Sequence, residues 1–191
     1  MRRKDDHIRI NRDENVQSGV DGGFDSYSLE HNALPEIDFK EIDTTCDFLG
    51  KKVNAPILIS SMTGGTQSGD EINIRLAKSA QKFGIAMGVG SQRVAIESDS
   101  RFSSEKIRES APDIPLYANL GAVQLNYGMG ITQCQKAVDL IKADALILHL
   151  NPLQEALQPE GQTNFAGLLK KIALVSKELG VPVIVKEVGW G

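Results

Sequence analysis

From residue 55 onward, short apolar runs alternate with longer stretches in which apolar positions recur at helical spacing. The runs begin near Ala55 (Ala-Pro-Ile-Leu-Ile-Ser), Gly84 (Gly-Ile-Ala-Met-Gly-Val-Gly), Ile114 (Ile-Pro-Leu-Tyr-Ala-Asn-Leu-Gly), Ala143 (Ala-Asp-Ala-Leu-Ile-Leu) and Val181 (Val-Pro-Val-Ile-Val-Lys-Glu). Successive starts lie roughly 30 residues apart, the length of one βα unit, with a longer last interval. Continuous apolar runs of this length are what parallel strands covered on both faces require. Between the first two runs, Ser68 and Glu71 form a capping box. Ile72, Leu76, Ala80 and Phe83 then share one helix face before Gly84 ends the helix. Ile131, Cys134, Val138 and Ile141 make a second stripe. Phe165, Leu168, Leu169, Ile172 and Leu179 make a third, with Asn164 as the candidate cap and Gly180 as the stop. Residues 98–111 carry a weaker helical stripe.

Strands alternating with helices predict an α/β fold with a parallel sheet. Five strands and four intervening helices can be counted, and two architectures accommodate them. One is a doubly wound sheet with a lead segment. The other is a TIM (β/α)8 barrel, which takes roughly 250 residues, and of which residues 55–191 cover the first five strands. The barrel with its remaining units missing from this chain is the favoured reading. Residues 1–54 are polar and mixed and read as an N-terminal extension, opening on a basic head of Arg2, Arg3, Lys4 and His7. Such a head is usually solvated, or else folds over a phosphate-bearing molecule.

Composition narrows the function without choosing it. The chain has 191 residues, 41% of them hydrophobic and 24% charged, which is ordinary for a globular protein and argues against wholesale disorder. A net charge of −4 argues against a nucleic-acid partner. No secretory signal follows the basic head, and no apolar stretch approaches the roughly 18 residues of a membrane span. Cys46 and Cys134 are isolated. The expectation is a cytoplasmic protein with free thiols and no membrane partner.

The candidate chemistry gathers just after the strands, where α/β enzymes place it. Ser61-Met62-Thr63-Gly64-Gly65 follows the first, and its glycines let a phosphate or flat ligand reach the backbone, or simply make a tight turn. Gly88-Val89-Gly90-Ser91-Gln92-Arg93 follows the second, with Arg93 where a dinucleotide fingerprint needs its third glycine. Ser91 and Arg93 are candidate anion binders. Asn119 lies at the end of the third strand. The fourth strand finishes in the densest polar cluster of the chain: His149, Asn151, Gln154 and Glu155, with Glu160 beyond. Glu155 and Glu160 are hard oxygen donors suited to Mg²⁺. His149 is either an acid/base group or a satisfied strand-end histidine. Lys186 ends the fifth strand, where a cation is costly unless it faces an anion. No zinc motif and no G-x-S-x-G elbow is present.

Together these segments resemble the type 2 isopentenyl diphosphate isomerase family. The matching pieces are Arg3-Lys4-Asp5-Asp6-His7, Met62-Thr63-Gly64-Gly65, Gly88 to Arg93, Ala118-Asn119-Leu120-Gly121, His149 to Glu155 with Gln158-Pro159-Glu160-Gly161, and Val185-Lys186-Glu187-Val188-Gly189. They run through the chain in the family's order, and the wording from Gly88 to Ala95 looks most like archaeal members. The resemblance implies an enzyme, an FMN-bound TIM barrel that interconverts isopentenyl and dimethylallyl diphosphates in isoprenoid biosynthesis. It also implies reduced FMN, NADPH as the reductant, Mg²⁺, and a homo-oligomer, tetramer or octamer.

Carried over by motif, Ser61, Met62, Thr63, Ser91, Asn119 and Lys186 contact FMN. Arg3, Lys4, His7, Arg93, Asn151 and Gln154 bind substrate, with Arg3 and Lys4 on its diphosphate. His149 and Gln154 are the catalytic candidates, and Glu155 holds the metal. The family's chain continues well past residue 191 and carries its FMN-phosphate turns there. The competing expectations are an FMN barrel oxidising a small hydroxy acid, or an inactive fragment of the isomerase.

Overall fold

The computed structural model describes the chain except residues 1, 18, 20, 21, 99–101, 190 and 191; the side chains of residues 2–5 and 102–104 also lie outside the described set. The chain divides into two units, Met1–Thr44 and Thr45–Gly191.

In the first unit the basic head opens a helix, α1 (Arg2–Asp13). Arg9 bridges to Glu14 at 3.1 Å and Arg12 to Asp13 at 2.7 Å, both exposed. Two short 3-10 turns, Phe24–Ser26 and Phe39–Glu41, follow.

The second unit begins with an antiparallel hairpin, β1 (Cys46–Phe48) and β2 (Lys51–Val53). Its parallel sheet is built from β3 (Leu58–Ile59), then α2 (Gln67–Phe83), β4 (Ala86–Gly88), α3 (Arg93–Glu97) and α4 (Phe102–Ser110). β5 (Leu116–Gly121), α5 (Ile131–Ile141), β6 (Ala145–Leu150), α6 (Pro152–Leu157), α7 (Leu168–Glu178) and β7 (Val183–Glu187) complete it. The strands hydrogen-bond in the order β3-β4-β5-β6-β7, all parallel. Spatial order follows chain order with no reversal. A doubly wound sheet must reverse at its switch point, so the sheet is singly wound, as in a barrel wall.

The pleat sends alternate side chains to opposite faces. Met87, Leu116, Ala118, Leu120, Leu146 and Leu148 point to the helices and join the large core with Ala77, Ala80, Cys134, Val138 and Ile141. Ala86, Tyr117, Ala145 and Ile147 point to the other face, where Val53 of the hairpin packs on them. Phe48 meets the Tyr117 ring edge-on at 6.0 Å. The hairpin therefore plugs the inner face near the N-terminal ends of the strands, although the polar lead sequence gave no sign of it.

Several helix boundaries differ from the sequence pattern. α2 is capped by Thr66, whose hydroxyl accepts from the Gly69 N–H, two residues ahead of the expected Ser68 cap. Its buried face is Gly69, Asn73, Ala77 and Ala80, while Phe83 is 61% exposed. Gly84 ends it in the left-handed conformation, as its position suggested. α7 starts after Gly167; Asn164 instead accepts from the Ala166 N–H in a turn ahead of the helix, and Leu169 faces outward. The weak stripe at residues 98–111 corresponds to α4, with the separate α3 ahead of Ser98.

Candidate active site at the C-terminal rim

Parallel pairing brings strand ends to a common rim. Asn119 pairs with Ile147, Gly121 with His149, and His149 with Lys186. Directly paired residues on parallel strands share a face, so Asn119, His149 and Lys186 all lie on the inner face. Ser61 joins them from the loop after β3. A Cβ on Gly88 would lie 2.6 Å from Ser61 Oγ and 2.8 Å from Ile147 Cδ1, so that hydroxyl sits directly over the inner face of β4. Ser61 Oγ is buried and has no partner among the described residues.

The loops carrying Ser61, Met62, Thr63 and Ser91 touch through glycine. A Cβ on Gly90 would overlap the carbonyl of Thr63, so no other residue allows this approach. Asn73 fastens the first loop from α2, donating to Thr63 O at 2.8 Å and to Gly69 O at 2.9 Å. Met62 is 70% exposed beside this contact. Arg93 is engaged by Glu97 one helical turn on, at 2.9 Å.

Asn119 is buried and fully engaged. Its Nδ2 donates to Val89 O at 3.1 Å, its backbone N–H donates to Gln92 Oε1 at 2.9 Å, and its Oδ1 lies 2.9 Å from His149 Nδ1. Because the amide nitrogen must face the Val89 carbonyl, the oxygen faces the histidine. His149 Nδ1 is then the donor, and a neutral ring carries its lone pair on Nε2. Gln92 closes the network, donating from Nε2 to Ala137 O at 3.0 Å. Lys186 donates to the Glu187 carbonyl at 3.1 Å; burial holds its ammonium below the usual lysine pKa, against the opposing pull of Glu187.

Beyond β6, Asn151 leads into α6. Its Nδ2 donates to Gln154 Oε1 at 3.1 Å and Glu155 Oε1 at 2.8 Å, and its own Oδ1 is buried without a partner among the described residues. Glu155 is only 8% exposed, and its Oε2 accepts from the Gln162 N–H at 2.6 Å. Among the described residues its hydrogen-bond donors are neutral and no lysine or arginine pairs with it. A carboxylate held this way is poorly compensated, and a divalent cation would compensate it. One carboxylate with spare lone pairs suits Mg²⁺ that takes its other ligands from water and phosphate. Among the described residues no group of three acidic, histidine or cysteine side chains forms a cage. Glu160 is exposed.

The residues expected after the strands thus divide. Ser61, Asn119, His149 and Lys186 share the inner face at one rim, and Asn151, Gln154 and Glu155 lie in the connection directly after it. His7 lies on α1 in the other unit, and the side chains of Arg3 and Lys4 fall outside the described set. Sequence spacing missed Asn73, whose partners are local, and Gln92, Gln124 and Gln162, which bond across 27 to 45 positions. For Gln92 and Gln124 the one signal was a glutamine just after a strand-end glycine.

The protein-family model described as FMN-dependent dehydrogenase matches residues 11–117. The chain is 58% identical over its full 191 residues to isopentenyl-diphosphate delta-isomerases of Rickettsia bellii (strain RML369-C) and Rickettsia felis (strain ATCC VR-1525 / URRWXCal2). It covers 56% and 55% of those proteins, so it spans about half the length of the curated relatives it matches. Among solved structures, flavocytochrome b2 with sulfite bound aligns at TM-score 0.53 and 19% identity, over 80% of this chain and 41% of that one. A mandelate oxidase with 2-hydroxy-phenylacetamide aligns at TM-score 0.50 and 15% identity, over 79% and 46%. At such identities the likeness concerns the fold.

Proposed function

The chain belongs to the FMN-dependent dehydrogenase family, and from that premise we propose that it forms the first five strands of a (β/α)8 barrel that interconverts isopentenyl and dimethylallyl diphosphates. The identity to rickettsial isomerases supports this reaction. The observation that carries it is Glu155, a nearly buried carboxylate held by neutral donors in the segment that follows His149.

The inner face fits a flavin. Ser61 Oγ lacks a partner among the described residues, and Lys186 brings a partly desolvated cation. Ser61, Met62, Thr63, Ser91, Asn119 and Lys186 would hold FMN there. Reduced FMN supplies, when bound, a proton carrier suited to an allylic carbon acid, for which side chains are poorly matched.

The chain's own residues position and neutralise. Glu155 would hold Mg²⁺, which would supply positive charge to the substrate's diphosphate. Asn151 and Gln154, bonded to each other beside Glu155, would bind the substrate there. His149, oriented by Asn119 through Nδ1, would stand beside substrate and flavin on the inner face. Arg93 lends charge once it leaves Glu97; Arg3, Lys4 and His7 are assigned to the substrate on the resemblance alone. NADPH as reductant, a homo-oligomer of four or eight and a cytoplasmic location belong to the same reading. Among the described residues no helix is long and apolar enough to cross a membrane. Hydroxy-acid oxidation, the rival reading, draws on the family match and on fold likeness at 19% identity or less, against 58% identity to the isomerases.

The test is Glu155→Gln in the assembled holoenzyme. Isomerisation dependent on Mg²⁺ is expected to fall by at least a hundredfold while the yellow flavin spectrum persists. Unchanged turnover, or loss of flavin from the variant, contradicts the assignment.

A further inference from the structure

We infer that Gln124, on the 3-10 turn that follows β5, is a positioning residue that orients the Glu155 carboxylate through Gln162; this rests on the metal-and-diphosphate reading above. Gln124 is 6% exposed, and its Nε2 donates to Gln162 Oε1 at 3.1 Å. The backbone N–H of the same Gln162 donates to Glu155 Oε2 at 2.6 Å. The neighbouring Gly161 lies so close to the Glu155 carbonyl that a Cβ there would overlap it, and its N–H donates to Gln158 O at 3.0 Å.

The turn after β5 is fastened to this loop at further points. Asn126 Nδ2 donates to Asn164 O at 2.8 Å and Ala166 O at 3.0 Å, and Tyr127 Oη accepts from the Asn164 N–H at 3.0 Å. Two donors from different directions therefore fix the plane of the carboxylate. Asn151, at the start of α6, binds Oε1, and the loop held by Gln124 binds Oε2. Oε2 depends on a connection belonging to the preceding strand. Removing the Gln124 amide leaves the 126/127 attachments intact but frees residues 158–162, so the carboxylate keeps one donor and gains a rotation. Metal affinity suffers, while steps after metal binding do not.

Partners that orient a metal ligand from one layer out typically contribute ten- to a hundredfold in affinity. The experiment uses Gln124→Ala, Gln162→Ala and their double variant in the holoenzyme, reading the half-saturating Mg²⁺ concentration, turnover at saturating Mg²⁺ and flavin absorbance. Each single variant is expected to raise the half-saturating concentration by about tenfold, with turnover at saturating metal lowered by about twofold at most and flavin retained. The double variant is expected to match the singles, because both act through one bond. Gln162 is only half-buried, so Gln162→Ala carries the test if Gln124→Ala does not fold. Unchanged metal dependence in Gln162→Ala, beside its loss in Glu155→Gln, overturns the inference and leaves the metal reading standing. Effects that multiply in the double variant also overturn it. Metal dependence that survives Glu155→Gln overturns both.

Discussion

The two rims of the same sheet are built on opposite principles. At the N-terminal rim the half-buried charges of Asp144 and Arg108 are answered. Asp144 accepts from Lys51 at 2.7 Å, from Arg108 at 3.2 Å and from the Leu116 N–H at 2.9 Å. Arg108 also donates to the carbonyls of Ala111, Ile114, Ile141 and Lys142. Burial pushes the Asp144 carboxyl up, but the hydrogen bonds from Lys51, Leu116 and Arg108 outweigh it and hold the group below its usual pKa. At the C-terminal rim the chain leaves bonds unmade. Of the five buried side-chain oxygens without a partner among the described residues, Ser61, Gln124, Asn151 and Gln158 lie on that side, and Tyr117 is the exception. An unmade buried hydrogen bond costs stability, so one rim holds the fold together while the other is held ready for a ligand.

The largest expected effect comes from removing the pin at the first rim. Arg108→Ala strips donors from several backbone carbonyls and leaves Asp144 short of a partner, so it is expected to lower unfolding free energy by about 3 kcal/mol in urea titrations. Flavin affinity in the folded fraction should change little. Gly90→Ala makes the converse break. Its Cβ must push apart the loops at residues 63 and 90, at a stability cost of about 2 kcal/mol, and it should release FMN, read by loss of visible absorbance on gel filtration.

Titration sharpens the contrast further. The Asp144 contribution is fully present above its ordinary pKa of 3.8 and is lost as pH falls through its lowered folded value. Asp144→Asn should therefore flatten the acid limb of a stability-versus-pH curve. The smallest effect lies on the helix-covered face, where burial pushes the Cys134 thiol from 9.0 up to about 11. That contribution is present below pH 9.0 and disappears as pH rises through about 11, so Cys134→Ala should flatten the alkaline limb.

The strands, their parallel pairing and the stripe of α5 were legible because each is a local, periodic signal. Gly84 was legible as a stop because a positive φ favours glycine. The cap of α2 was not, since Thr66 and Ser68 both satisfy the pattern and only the fold decides between them. Its small-residue face was hidden because close packing against the loop at Gly64 selects for size rather than hydrophobicity. The rim clusters could be read as lists of polar residues after strands, but not as networks. Asn119 bonds Gln92 across 27 positions and Gln124 bonds Gln162 across 38, separations at which sequence carries no period.

The most direct measurement is a crystal structure of the protein soaked with FMN. Density for the flavin ring is expected against the inner face, in contact with Ser61, Asn119 and Lys186 and within reach of His149. A flavin seated on the helix-covered side, or an empty inner face at saturating FMN, would contradict the account.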